Sequence, residues 1–189
     1  VLAFEWALDP DENPSTTYDI PDVINNSWRW YDGVDTTYCE GFVVGLLNTL
    51  EAAGIAVVFS GGNHGPSNTT VSSPQRSKTS LMNSFCVGAL NGNDPLYPIA
   101  GFSTRGPSQC TDDPILKIHP EVSAPGVDVR SAYGQNGYSE LSGTSMSCPH
   151  VSGAVLLLKE AFPALTGEEL LNALYVTAVD LGDPGEGAD

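Results

Sequence analysis

"ELSGTSMSCPHVSG", residues Glu140 to Gly153, sets a glycine-supported turn, Gly143-Thr144, directly before Ser145. Val151, Ala154, Val155 and Leu158 then recur at helical spacing, which predicts a helix opening at Ser145. At such an opening the backbone N–H groups lack intrahelical partners and the helix dipole is positive, so developing negative charge is stabilised. Ser145 is therefore a candidate nucleophile on a platform suited to anion chemistry. Pro149 is expected in or beside the first turn, where a missing N–H costs little.

Working outward, the chain alternates strand and helix patterns. "VLAFEWAL" reads as the end of an amphipathic helix, followed by the polar loop "DPDENPSTTYDIP" and a short strand in "DVINNSW". "GFVVGLLNTLEAAG" has helical periodicity and ends at Gly54, and "IAVVFS" is a continuous apolar run of the kind covered on both faces in a parallel sheet. "FCVGAL", "IAGFS", "PEVSAPG", "VDVRSAY" and "YSELSG" read as further strands, and helices are predicted over residues 145 to about 162 and 166 to about 179. The order predicts an α/β fold with a mostly parallel sheet.

Charge narrows the partners. Seven Lys+Arg stand against 23 Asp+Glu, a formal net charge of -16, which repels phosphate backbones and anionic lipid. Nucleic acid is thus excluded as a partner, and no apolar run approaches the ~20 residues of a membrane span. The first residues lack both an initiating Met and a basic signal-peptide head, so Val1 is not expected to be a translation start. Of four cysteines, none in C-x-x-C spacing, Cys86 and Cys148 fall in apolar elements and are expected as buried thiols; Cys39 and Cys110, in loops, are the better disulfide candidates. The metal-site expectation is none.

A serine hydroxyl needs a base to take its proton and donors for the oxyanion that forms. Ser145 offers its own N–H, and Asn63 in "VVFSGGNHGPS" lies where an apolar strand breaks into glycines, a ligand-facing position in open α/β sheets. Taken alone, an Asn there is ordinary turn chemistry.

Together these segments resemble the subtilisin-like serine proteases. "GTSMSCPHVSG" resembles their serine motif and "SGGNHG" their oxyanion-asparagine motif; "FEWAL", "DVINNSW", "SFCVGAL", "FSTRGP" and "SAPGVDVRSAY" follow in family order. The chain has no G-x-S-x-G elbow of the α/β-hydrolases. Sedolisins share S-G-T-S but carry an acidic oxyanion residue. The resemblance implies a three-layer α/β sandwich hydrolysing peptide bonds through a Ser-His-Asp triad, with Ser145 as nucleophile and Asn63 as oxyanion donor. It further implies that Asn26, Ser27 and Trp28 form the edge pairing with substrate backbone, that Ser60, Gly61 and Gly62 wall the specificity pocket, and that Ser72 forms its base. Ser73-Pro74 matches a cis bond of the family.

The family's D-[TS]-G and H-G-T-H motifs are missing from this chain. The nearest look-alike, Asp32-Gly33, ends no apolar strand. His150 falls five residues after Ser145, roughly 140° around a helix, and is expected to be structural; His64 and His119 are expected at the surface. Residues 1–189 are accordingly expected to be the C-terminal portion of a catalytic domain, with peptide or protein substrates and the missing N-terminal portion as partners. Arg29 departs from the family's usual Gly. Calcium enters only as a structural ion of the family, its strong site largely upstream. Secretion to an extracellular setting is expected. The rival reading is an inactive subtilase-like domain that binds peptides or proteins.

Overall fold

A computed structural model describes residues 2–30, 39 and 41–181; Asp32-Gly33 lies outside them. The elements run α1 (Leu2–Leu8), β1 (Val23–Asn26), α2 (Phe42–Ala52), β2 (Ala56–Ser60), β3 (Phe85–Leu90), β4 (Val122–Pro125), β5 (Val129–Tyr133), β6 (Gly137–Leu141), α3 (Thr144–Ala161) and α4 (Gly167–Val176). Strands β1-β2-β3-β4 form one parallel sheet in that order, and β5 and β6 form an antiparallel pair. The register sets Asn26 beside Phe59 and Ser60 beside Val87, so β1, β2 and β3 end at a common edge of the sheet.

The apolar run around β2 divides by the two-residue period of a strand. Ala56 and Val58 pack with Phe85, Val87, Cys148, Val151, Val155, Leu170 and Leu171 under α3 and α4. Ile55, Val57 and Phe59 pack with Phe4, Val43, Leu46, Leu47 and Leu50 under α1 and α2. Helices on both faces of a parallel sheet make the expected three-layer α/β arrangement. Burial of these side chains, worth about 1.5–3 kcal/mol for each large one, holds the strand ends in register. Helix α4 begins with a capping box: Glu169 N–H donates to Thr166 Oγ1, and Thr166 N–H donates to Glu169 Oε2.

Three expectations are corrected. "IAGFS" forms no strand; a single bridge joins Ile99 to Leu90, and Ser103 N–H donates to Ala100 O in a turn. His119 is not at the surface but fully buried, packed under the backbone of Gly106, whose N–H donates to His119 O. Pro149 lies beyond the first turn, the sixth residue of α3. Its missing N–H leaves the carbonyl of Ser145 without the usual helical donor, and Ser27 Oγ supplies one at 3.0 Å. Cys39 and Cys110 form a disulfide, while Cys86 and Cys148 are buried free thiols.

Candidate active site

Helix α3 starts at Thr144, with Gly143 as its N-cap, so Ser145 is the second residue of the first turn and half-buried. Gly143 has φ +155° and a Cβ there would lie 3.2 Å from Asn63 Nδ2; both conditions favour glycine. Asn63 reaches this turn from the loop after β2. Its Oδ1 accepts Thr144 N–H at 2.9 Å and Thr144 Oγ1–H at 3.0 Å. With the oxygen held by two donors, the amide flip is fixed and Nδ2 remains the group free to donate. Thr144 Oγ1 in turn accepts Gly62 N–H at 3.0 Å. The nucleophile turn and the loop after β2 are thereby tied together across more than eighty residues of sequence.

The exit of β1 is fastened to the same helix. Ser27 Oγ donates to Ser145 O, and Ser152 Oγ donates to Asn25 Oδ1 at 3.1 Å. Asn26 is buried, its Nδ2 donating to Val58 O and its Oδ1 accepting from Trp28 Nε1 at 3.1 Å. Its side chain is therefore occupied. Trp28 leans edge-on to Phe59, with ring centroids 5.6 Å apart, and Trp30 N–H donates to Ser73 O.

Behind the turn, Ser60 O accepts Gln75 Nε2 at 2.6 Å and Gly61 N–H donates to Val87 O. Gly62 has φ +113°, and a Cβ on it would lie 2.8 Å from Thr104 Oγ1, 3.3 Å from Ser72 Oγ and 3.4 Å from His64 Nδ1. Ser72 thus stands beside Gly62, just ahead of a cis Ser73-Pro74 bond. Thr104 and Gln75 carry no warning in the sequence: each is an isolated polar residue in a loop, and only the folded chain brings them to the glycine wall.

Two histidines have other engagements. His150 Nδ1 is 2.8 Å from Met146 O of its own helix. His119 Nδ1 is 3.6 Å from Glu121 Oε1, in a buried cluster where Lys78 Nζ also pairs with Glu121 and donates to Ile118 O at 2.9 Å. Burial pushes the Glu121 carboxyl up, but His119 and Lys78 outweigh it and hold the group below the usual carboxylate range. Burial likewise pushes the Cys148 thiol up to about 12, so it stays protonated. Cys86, His119 and Glu121 bring metal-ligand atoms within 4.8 Å of one another, yet Lys78 already supplies that cluster with a cation.

Comparison with known proteins identifies the chain's relatives. A model described as "Subtilase family" matches residues 7–188. The chain is 38% identical to Bacillopeptidase F of Bacillus subtilis (strain 168) over 96% of its own length and 12% of that protein. It is 37% identical to Subtilisin DY of Bacillus licheniformis over 70% of the chain and 42% of that protein. Among solved structures, Sphericase is similar at a TM-score of 0.72 and 27% identity, covering 93% of this chain and 53% of that one. The chain therefore spans about half or less of each of these relatives.

Proposed function

The chain belongs to the subtilase family, and from that premise we propose that it carries the nucleophile and oxyanion groups of a serine endopeptidase. The observation that supports this reading is the fixed Asn63 amide beside the opening of α3. Ser145 Oγ attacks the carbonyl carbon of the scissile peptide, and its proton passes to a histidine supplied by the upstream segment with its aspartate. Ser145 N–H and Asn63 Nδ2 take the charge that develops on the carbonyl oxygen, each about 3 Å from it. Collapse breaks the C–N bond, the histidine gives its proton to the departing amine, and water then cleaves the acyl-enzyme by the reverse path. Substrate backbone pairs along the β1 exit from Asn26 to Trp28, with Ser60, Gly61 and Gly62 as pocket wall and Ser72 at the base.

Secretion is part of the same reading and is supported by the Cys39–Cys110 disulfide, which persists in an oxidising compartment. No helix among the described residues is long and apolar enough to cross a membrane.

The test uses this chain together with the upstream segment of its gene. A fluorophosphonate probe should label Ser145, casein should be cleaved, and Ser145→Ala should abolish both. Residues 1–189 alone should show negligible amidase activity, because the serine then lacks its base. Casein binding without turnover in the complete protein, and no labelling, would replace this reading with that of an inactive binding domain.

A further inference from the structure

Acidic residues are distributed unevenly in this chain. It has 23 Asp+Glu, yet none falls in residues 52–93 or 95–111. Those stretches contain the glycine wall at Gly61 and Gly62, Ser72, Thr104 and His64, together with Arg76, Lys78 and Arg105. Glu121, which accepts Cys86 N–H at 2.8 Å, is buried and paired with Lys78. Around the wall, then, a chain of net charge -16 presents no uncompensated carboxylate from these segments.

Three polar atoms from three separate segments surround the point that a Cβ on Gly62 would occupy: Thr104 Oγ1 at 2.8 Å, Ser72 Oγ at 3.3 Å and His64 Nδ1 at 3.4 Å. Thr104 is 1% exposed and its Oγ1 has no hydrogen-bond partner. Its backbone is held in place, since Thr104 N–H donates to Gly62 O at 3.1 Å. A buried hydroxyl left without a partner is unfavourable, and it becomes satisfied when a ligand oxygen reaches it. Two hydroxyls and an imidazole offer donors to such an oxygen, and an apolar side chain would leave them unpaired.

We propose that this pocket selects an acidic side chain, glutamate in particular, on the amino side of the cleaved bond. Its carboxylate is bound by Thr104 Oγ1, Ser72 Oγ and His64. Glutamate suits the site because its carboxylate accepts hydrogen bonds on both oxygens and its longer side chain extends further than that of aspartate toward hydroxyls on two other segments. The chain's overall negative charge does not oppose this strongly, since repulsion from distant exposed carboxylates is screened beyond ~8 Å at physiological ionic strength. The inference rests on the peptidase reading above.

The complete enzyme is assayed on four peptides identical except for Glu, Gln, Leu or Lys before the cleaved bond. We expect kcat/KM for the Glu peptide to exceed that for Leu by about 100-fold, within the discrimination available to a site built around hydrogen bonds. His64→Glu should lower the Glu-to-Lys ratio by about 100-fold or more; His64 is exposed, so the change does not threaten the fold. Thr104→Val, nearly isosteric, should lower the Glu-to-Leu ratio by about 10-fold. Preference for Leu in the unmodified enzyme, or ratios unmoved by both variants, overturns the pocket assignment and leaves the peptidase reading standing. Failure to cleave any of the four, with no difference from Ser145→Ala, overturns both.

Discussion

The edge where β1, β2 and β3 end and the β5–β6 hairpin are built on opposite plans. At the sheet edge, polar groups are fixed by partners far away in sequence: Asn26 holds Val58, Gln75 holds Ser60, Ser27 holds Ser145 and Asn63 holds Thr144. The hairpin is fixed mainly by itself, through five register pairs from Val129↔Leu141 to Tyr133↔Gly137, with Arg130 stacked 4.5 Å over Tyr138. Most of its residues are exposed, whereas every residue of β2 and β3 is buried. Position at the sheet edge therefore depends on the whole fold being formed, while the hairpin depends on its neighbours. The candidate chemistry sits where placement is most over-determined.

The sharpest way to break that contrast is at Lys78. Lys78→Met removes the ammonium paired with buried Glu121, and should destabilise the protein by about 3–5 kcal/mol in chemical denaturation; a loss under about 1 kcal/mol would mean that His119 alone suffices. Acid sharpens the same point. A carboxyl held lower in the folded than in the unfolded state contributes stability above its unfolded value, about 4.3 for Glu, and loses it as pH falls through the folded value. Stability should hold on acidification to about that point and then fall, and in Lys78→Met this acid-dependent component should shrink.

Next in size is Asn63→Ala in the complete enzyme. It should lower kcat by about 10²–10³ with little change in KM, the size of effect that loss of one oxyanion donor has in subtilisin. An unchanged kcat would detach Asn63 from the oxyanion. Ser27→Ala removes the only side-chain donor described for the Ser145 carbonyl, and should cost about 1 kcal/mol of stability together with a measurable fall in kcat. Smallest of all, Arg130→Ala in the hairpin should cost about 0.5–1 kcal/mol and leave kcat/KM unchanged. If Arg130→Ala disturbed catalysis more than Ser27→Ala, the separation of the two regions would be wrong.

Much of the fold is legible in sequence because its signals are local. The 3.6-residue spacing after Ser145 and the apolar run around β2 each lie within one element. The nucleophile turn was legible as well, from glycines next to polar residues. What escaped depends on distance along the chain. Pro149 looked harmless only if near the first turn, and the donor that offsets it, Ser27, is 118 residues from Ser145. "IAGFS" has strand composition, but its backbone turns after one bridge to Leu90. His119 sits in a polar-looking loop, yet it is buried beside a Lys78–Glu121 pair, one member of which comes from a segment some forty residues away. Nothing near Thr104 in the sequence announces that it meets Gly62.

The Cys39–Cys110 bond joins residues 71 apart in sequence, and the stretch between them contains Asn63, the glycine wall, Ser72 and Thr104, while Ser145 lies outside it. On the peptidase reading proposed above, each molecule is exposed to others of its own kind. If a neighbouring molecule cuts the exposed turn from Pro66 to Thr69, the two pieces remain one covalent molecule, and the packed strands can keep both ends in place. Such a nicked protein would migrate as a single band on a denaturing gel and split into two only after reduction. The bond thus turns self-digestion at that turn from a loss of half the site into a scar the enzyme can carry.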